Sequence, residues 1–476
     1  MSTDARKTKI VCTLGPASDS TEGIGNLIQA GMDVARLNFS HGDLDSHRET
    51  IRNIRRISSE MGREVGILQD LGGPKIRLGD LPGGAMEIEA GEEITLSPME
   101  AIVPTAIPVR YPYIVGDVNQ GDRILLADGL VELRVELKEE DRLICRVVVG
   151  GILHSRKGVN LPSSRLRIPA FTEKDRQDLT LGIEEGVDFV ALSFVRHEND
   201  LSQIRDMMAR SKSRPLLIAK IEKPQAMERL HHILLHVDGV MVARGDLGVE
   251  MPLEEVPMIQ KKIIHAARRS GRPVITATQM LRSMVNNPRP TRAEAADVAN
   301  AILDGTDAVM LSEETAMGEY PVTAVHVLDR IAGETEKHLQ ERDYLGETGS
   351  DILPVIESAI SRAACILAED MHASAIVACT TSGSTARLVS RFRSPRPVIG
   401  LTHRAKTQRQ LNLSWGVIPL LVESFTDTDH MFELAKSLVN REGLAGKGDR
   451  LIITAGVPVG SPGTTNMLKV IELEGT

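Results

Sequence analysis

Short apolar runs rich in β-branched residues recur along this chain, each separated from the next by a stretch of helical period. They are "KIVCTLG" (9–15), "DVARLNFS" (33–40), "VGILQDL" (65–71), "FVALSFV" (189–195), "LLIAKIE" (216–222), "GVMVARG" (239–245), "PVITATQ" (273–279) and "AVMLSEET" (308–315). Strands that are apolar on both faces need cover on both faces, and a parallel sheet flanked by helices provides it. The intervening stretches, such as "TEGIGNLIQAG" and "TRAEAADVANAILDG", each open on a threonine cap and close on glycine. Eight strand–helix units fit a closed (β/α)8 barrel, and an open doubly wound sheet is the alternative the pattern leaves.

The rhythm breaks twice. From about 72 to 169 the helical period vanishes, and "GAMEIEAGEEITL" and "GDRILLADGLVELRVELKEEDRLICRVVVGG" alternate with period two between Gly, Pro and Asp turns. This reads as an antiparallel β insertion between the third and fourth barrel strands. The polar stretch "ERDYLGETGSDILP" (341–354) reads as a linker, after which "SAIVACTT", "RPVIGLT", "GVIPLLVE" and "DRLIITAG" again alternate with helices. The α/β chain therefore divides into a barrel (1–71 and 170–341), an inserted β domain (72–169) and a smaller α/β domain (342–476).

Composition narrows the function. A net charge of −9 and only 3% aromatics argue against a nucleic-acid partner, which needs a basic surface and stacking rings. Cys12, Cys145, Cys365 and Cys379 are scattered, mostly in apolar runs, and read as reduced core thiols. The N-terminus "MSTDARKTKIVCTLG" has no signal-peptide core and no apolar run reaches membrane-spanning length, so a cytoplasmic chain without a membrane partner is expected.

In a barrel of this kind the chemistry sits where strands end. The second run ends in Arg36, Asn38, Ser40 and His41. The third ends in Asp70, followed by Lys75 and Arg77. Later runs end in Lys220 and Glu222, in Arg244 and Asp246, in Thr278, and in Ser312 and Glu314. "HVDGVMVARGDLGVE" (236–250) poses the problem sharply, because a buried strand runs directly into an arginine and an aspartate. Glu222 and Asp246, on neighbouring strands of a closed barrel, make a hard-oxygen pair suited to Mg²⁺. The alternative is that they only pair with Lys220 and Arg244. Arg36, Arg77 and Lys220 supply anion recognition, so the rim describes a phosphoryl-transfer site. Neither a Walker nor a Rossmann glycine motif is present, so any nucleotide must be held by side chains and by the insertion, where Lys157 in "SRKGVNLP" is a candidate, with an ordinary surface lysine as the reading that spacing alone favours.

At this point "RLNFSHG" (36–42), "DLGGPKIR" (70–77), "KGVNLP" (157–162), "AKIE" (219–222), "MVARGDLGVE" (241–250), "TATQML" (276–281), "NPRPTRAE" (287–294), "DVANAILDGTDAVMLSEETA" (297–316) and "GTTNM" (463–467) together resemble the pyruvate kinase family, in family order over nearly the whole chain. The resemblance implies a barrel, a β-barrel lid, a C-terminal effector domain and a homotetramer. It implies phosphoryl transfer from phosphoenolpyruvate to ADP, giving pyruvate and ATP. Glu222 and Asp246 then correspond to Mg²⁺ ligands, with Mn²⁺ as a substitute. Lys220 matches the residue that stabilises the transferring phosphoryl group, and Arg36 the residue that holds the phosphate. Gly245, Asp246 and Thr278 match the carboxylate contacts, and Asn38, His41, Arg77 and Lys157 the ATP contacts. Thr278, with Ser312 and Glu314, matches the region that protonates the enolate.

Two departures stand out. Potassium-dependent relatives hold K⁺ at positions matching Asn38, Ser40, Asp70 and the next residue, here Leu71, which has no side-chain oxygen; they carry Glu where this chain has Lys75. The lysine ammonium can stand in for the ion, so K⁺ is expected not to be required. In "CTTSGSTARLVS" (379–390), Thr380, Thr381, Ser382, Gly383, Ser384 and Thr385 match the effector loop, and Thr381 stands where fructose-bisphosphate-regulated relatives often carry Lys. This points to a monophosphate effector such as glucose 6-phosphate, ribose 5-phosphate or AMP. Two other readings remain: a Mg²⁺-dependent 2-oxo-acid aldolase on the same barrel, and a catalytically dead metabolite-binding regulator.

Overall fold

The computed structural model describes residues 6–101, 103, 105–162, 164, 166–211, 213–339, 353, 355–458 and 464–474. The seam expected at 341/342, most of the linker and the first residue of "GTTNM" lie outside the described residues. Eight parallel strands close into a barrel: β1 (Lys9–Thr13), β2 (Val34–Asn38) and β3 (Gly66–Asp70) before the insertion, and β12 (Phe189–Leu192), β13 (Leu216–Ile221), β14 (Gly239–Ala243), β15 (Val274–Ala277) and β16 (Ala308–Leu311) after it. The ring closes between β1 and β16, with Lys9 paired to Ala308 and Cys12 to Leu311, which rules out the open sheet. Val11, Val34, Leu68, Phe189, Ile218, Met241, Ile275 and Met310 fill the interior, so the barrel is a packed core and its chemistry is confined to the ends.

The helix Thr21–Ala30 is capped by Ser20, not by Thr21: Ser20 has the extended backbone a cap requires and its side chain accepts from the Gly23 amide at 3.0 Å. Helix Arg292–Leu303 opens on Thr291 as read, in a capping box with Glu294.

The insertion holds β4 (Ala85–Ile88), β5 (Glu93–Pro98), β6 (Ile107–Val109), β7 (Arg123–Leu126), β8 (Val131–Lys138), β9 (Leu143–Val149), β10 (Gly151–His154) and β11 (Val159–Asn160). β4 pairs with β10, and the other six form a sheet in the order β11-β7-β8-β9-β5-β6. Bridges from Arg77 to Gly158 and from Leu78 to Val109 join its two edges, closing it around Leu96, Leu126, Leu133 and Leu143. It is not purely antiparallel. The chain leaves the sheet after β5 and re-enters in the same sense, so β5 and β6 run parallel, and a helical turn follows at Ile114–Asp117.

The C-terminal sheet has the order β19-β18-β17-β20-β21, from β17 (Ala375–Cys379), β18 (Val398–Thr402), β19 (Val417–Leu421), β20 (Arg450–Gly456) and β21 (Thr465–Glu472). The sequence reading omitted β21, an antiparallel edge strand whose Asn466 and Lys469 interrupt its apolar pattern. This unit seals the barrel's N-terminal face. Asp188, at the foot of β12, accepts from Arg55 at 2.7 Å and from Arg409 at 3.0 Å; Arg393 pairs with Asp307 at 3.0 Å, and Leu413 joins the barrel's interior cluster. The strands' C-terminal ends are left facing the insertion. All four cysteines are buried and unbridged, and among the described residues no helix is long and apolar enough to cross a membrane.

Candidate active site

Lys220, on β13, sits at the centre of the barrel mouth. Its ammonium donates to Ser193 Oγ at 2.8 Å and lies 3.0 Å from Glu222 Oε1 and 3.3 Å from Asp70 Oδ1. Burial alone would favour the neutral amine, but Asp70, Glu222 and Asp246 outweigh it and hold the pKa well above the ordinary lysine range. Asp70, fully buried, also takes Arg36 as a fork, with Nε and Nη2 each 2.7 Å from Oδ2. Burial would raise the Asp70 carboxyl, yet Lys220 and Arg36 pull it below the usual carboxylate range. Arg36 Nη1 donates to Thr13 Oγ1 at 2.9 Å. Only part of its five-donor fork is used, so donors remain for a ligand.

Glu222 is fully buried. Its Oε2 accepts from the Phe194 amide at 2.8 Å, while Oε1 has no well-aligned hydrogen bond despite the nearby ammonium. Burial raises its pKa and Asp246 adds to the rise, against Lys220. Asp246 lies in the first turn of helix Arg244–Glu250, half-buried, and has no hydrogen-bond or ion-pair partner among the described residues. An orphaned carboxylate oxygen beside a second unpaired carboxylate fits a hard divalent cation, which would offset the cost of burying the Glu222 charge.

The strand runs into charge at Arg244 because the helix begins there without a turn. Arg244 does not pair with Asp246. Its Nη1 lies 2.8 Å from Asp297 Oδ1, its Nη2 donates to the Thr278 carbonyl at 2.8 Å, and its Nε donates to the Ala277 carbonyl at 3.3 Å. The arginine thus clamps the end of β15. Thr278 has φ +68°, a left-handed backbone that a β-branched residue seldom adopts, and its Oγ1 accepts from the Gly245 amide at 2.7 Å. The loops at the ends of β14 and β15 are therefore locked together. Glu314 is buried with both oxygens occupied, accepting from the Leu281 amide at 3.0 Å and from the Ser312 amide at 2.7 Å. The buried Ser312 Oγ makes no hydrogen bond.

A cleft between the mouth and the inserted sheet is lined by Lys75, Arg77, Lys157, Phe194, Lys223 and Asp246. Arg77 Nη1 donates to the Arg156 carbonyl at 3.1 Å, and Lys157 is exposed. At the rim, partial burial and the nearby Lys75, Arg77 and Arg36 hold the His41 imidazole below its ordinary pKa. The cluster read from the strand ends thus converges on one mouth. Thr13 and Ser193, which hold Arg36 and Lys220, were missed, although they too are polar residues closing apolar runs. The Phe194 amide carries no signal in side-chain identity; its φ of +57° turns it toward Glu222.

Residues 5–325 match the family model "Pyruvate kinase, barrel domain" and residues 358–471 match "Pyruvate kinase, alpha/beta domain". Relatives include a pyruvate kinase of Geobacillus stearothermophilus, 47% identical over 98% of this chain and 80% of that protein, and pyruvate kinase 2 of Synechocystis, 48% identical over 98% and 79%. The crystal structure of a pyruvate kinase from Cryptosporidium parvum superposes with a TM-score of 0.92 at 35% identity, covering 98% of this chain and 96% of that one. The chain belongs to the pyruvate kinase family. Pyruvate kinases are generally magnesium-dependent, in keeping with the two carboxylates, and neither the aldolase nor the dead-regulator reading survives the match.

In this pyruvate kinase two of the oxygens at the positions matching the potassium site already accept hydrogen bonds. Leu71 turns its side chain into the barrel–helix core, and its carbonyl already accepts from Ser193 Oγ at 2.7 Å. Asn38 Oδ1 accepts from the Ser40 amide at 3.2 Å. Lys75 makes no hydrogen bond or ion pair among the described residues; partial burial, Lys220 and Arg77 lower its pKa, against Asp246 and Asp70. Gly73 lets "DLGGPK" pass close to β12, since its φ is +61° and a Cβ there would lie 3.0 Å from the Phe194 ring. In the effector loop, Thr380 Oγ1 accepts from the Gly383 amide at 2.9 Å and Thr385 Oγ1 lies 2.8 Å from Thr465 Oγ1. The first hydroxyl is spent on the loop itself and the second on β21. Ser382 and Ser384 hydrogen-bond to each other at 3.1 Å, and Thr381 offers its carbonyl to Thr407.

Proposed function

We propose that this pyruvate kinase binds phosphoenolpyruvate across the barrel mouth, phosphate on Arg36 and Lys220 and carboxylate on the Gly245–Asp246 turn and Thr278, with ADP entering from the cleft. The Lys220 ammonium, held between Asp70 and Glu222, carries this reading, because it places a fixed cation where charge spreads over a transferring phosphoryl group. A terminal ADP oxygen bonds to phosphorus as the bond to the enol oxygen breaks. Asn38, His41, Arg77 and Lys157 hold the nucleotide. The enolate left behind takes a proton at its methylene carbon from the side of Thr278, through water, with Ser312 lining that region and Glu314 setting the loops. Glu222 and Asp246 would hold Mg²⁺ or Mn²⁺, which would supply positive charge to offset that of the reacting anions. Residues 72–169 act as a lid on a barrel of 1–71 and 170–341, and 342–476 as the effector domain of a cytoplasmic homotetramer. The family likeness supports the assembly, and four unbridged core thiols accord with a reducing compartment. Ser382 and Ser384 present hydroxyls to a sugar monophosphate or AMP.

Lys75 replaces K⁺. The test is pyruvate release from phosphoenolpyruvate, ADP and Mg²⁺ in potassium-free buffer, followed by KCl. ADP-dependent turnover within about tenfold of the KCl rate supports both the site and the lysine substitution. Turnover only after KCl overturns the role of Lys75, and none in either buffer overturns the site.

A further inference from the structure

Beyond the groups that touch substrate, one buried carboxylate ties the inserted sheet to the loops that carry Glu222 and Asp246. Glu250, at the end of the helix that begins with Arg244, is buried; its Oε1 lies 2.5 Å from Lys223 Nζ and accepts from Asn160 Nδ2 at 2.8 Å. Lys223 directly follows Glu222, and its ammonium lies over the Phe194 ring, 5.6 Å from the centroid. Phe194 is the residue whose amide binds Glu222. Asn160 belongs to β11, three residues beyond Lys157. The same helix meets the insertion a second time, where a Cβ on Gly129 would lie 3.7 Å from Val249 Cγ1. Glu250 Oε2 is buried with no hydrogen bond, so the carboxylate hangs on these two partners alone.

We propose that Glu250 is a positioning residue for the divalent-cation site: the Asn160–Glu250–Lys223 strap sets the separation of Glu222 and Asp246 and passes the seating of the inserted sheet to them. A strand of the insertion pulls on Glu250, which sits one helical turn after Asp246 and is locked to the neighbour of Glu222. If the sheet lifts, Asn160 leaves, and a buried carboxylate that had two partners keeps one; the Lys223 loop then relaxes, and with it Glu222. Groups that orient metal ligands from behind alter metal affinity by roughly 10–100-fold when removed. The proposal rests on the reading of Glu222 and Asp246 as metal ligands.

The experiment uses the full chain without substrate and Mn²⁺ as the probe, with binding read by the paramagnetic resonance signal of free Mn²⁺. Asn160→Ala is expected to weaken Mn²⁺ by about tenfold or more. Asn160→Asp sets a carboxylate against Glu250 and weakens it further, and adding Glu250→Gln restores much of that second loss, because an amide can donate to the new aspartate. A strap that served stability alone would leave Mn²⁺ affinity unmoved and show no such rescue. Wild-type affinity in both Asn160 variants, alongside lost binding in Glu222→Gln, overturns the strap and keeps the metal reading. Unchanged affinity in Glu222→Gln overturns the metal reading and the proposal with it.

Discussion

Replacing Lys220 with methionine removes the ammonium and leaves the buried carboxylates to each other. Asp70 keeps Arg36, with two nitrogens at 2.7 Å, so most of the cost falls on Glu222, which loses its cation at 3.0 Å. An uncompensated buried charge costs about 3–5 kcal/mol, but a carboxylate can escape by taking a proton. For a glutamate with an unfolded pKa near 4.3, the cost of staying protonated at pH 7 is about 3.7 kcal/mol, and at pH 5 about 1 kcal/mol. The sign follows from proton binding. In the variant the folded state holds a proton on Glu222 that the unfolded chain releases, so folded stability falls as pH rises above the unfolded pKa. At about 2–4 °C per kcal/mol for a barrel of this size, the melting midpoint should drop by roughly 7–15 °C at pH 7 and by only about 2–4 °C at pH 5. Scanning calorimetry in EDTA measures it directly. Saturating Mg²⁺ should recover much of the loss at pH 7, since a dication on Glu222 and Asp246 replaces the ammonium, while turnover stays depressed by roughly 10²–10³-fold. Equal losses at both pH values, or no recovery with Mg²⁺, would refute the charge arrangement deduced for the mouth.

Lys406, which donates to Ser213 Oγ at 2.8 Å and to the Val187 carbonyl at 3.1 Å, has its pKa pushed down to about 8 by burial. The unfolded lysine keeps its proton to about 10.4, so between pH 8 and 10.4 the unfolded chain binds more protons and stability gains an upward contribution that Lys406→Met should remove from the melting curve. Thr278→Ala removes the oxygen that receives the Gly245 amide while leaving the left-handed backbone in place; kcat should fall by roughly 10²-fold, with a smaller change in KM for phosphoenolpyruvate, read by steady-state kinetics. Ser384→Glu places a carboxylate beside Ser382 and, if the loop binds a monophosphate effector as proposed, should abolish the rate increase given by whichever of glucose 6-phosphate, ribose 5-phosphate or AMP activates the wild type, leaving the unactivated rate intact.

The strand–helix rhythm made the barrel legible because a doubly buried strand has few other solutions, and the loss of helical period located the insertion for the same reason. The charged residues closing apolar runs pointed to the mouth, since a charge beside a core needs a partner. Less was visible where side-chain identity is silent. The Phe194 amide and the Thr278 carbonyl are backbone groups, placed by φ angles of +57° and +68° that no spacing announces. The direction of β6 and the edge strand β21 escaped because short or mixed strands carry weak alternation.

By itself the sequence determined the alternation of elements, the inserted sheet and the set of charged groups that barrel closure would gather, because these follow from periodicity and from the cost of burying charge. Only the tertiary structure decided who pairs with whom. Asp70 holds Arg36 across 34 residues, Arg244 reaches Asp297 instead of Asp246, and Glu250 joins Asn160 from 90 residues away. Such partnerships depend on distances of about 3 Å, set by the closure and packing of whole elements, and local pattern holds no record of them.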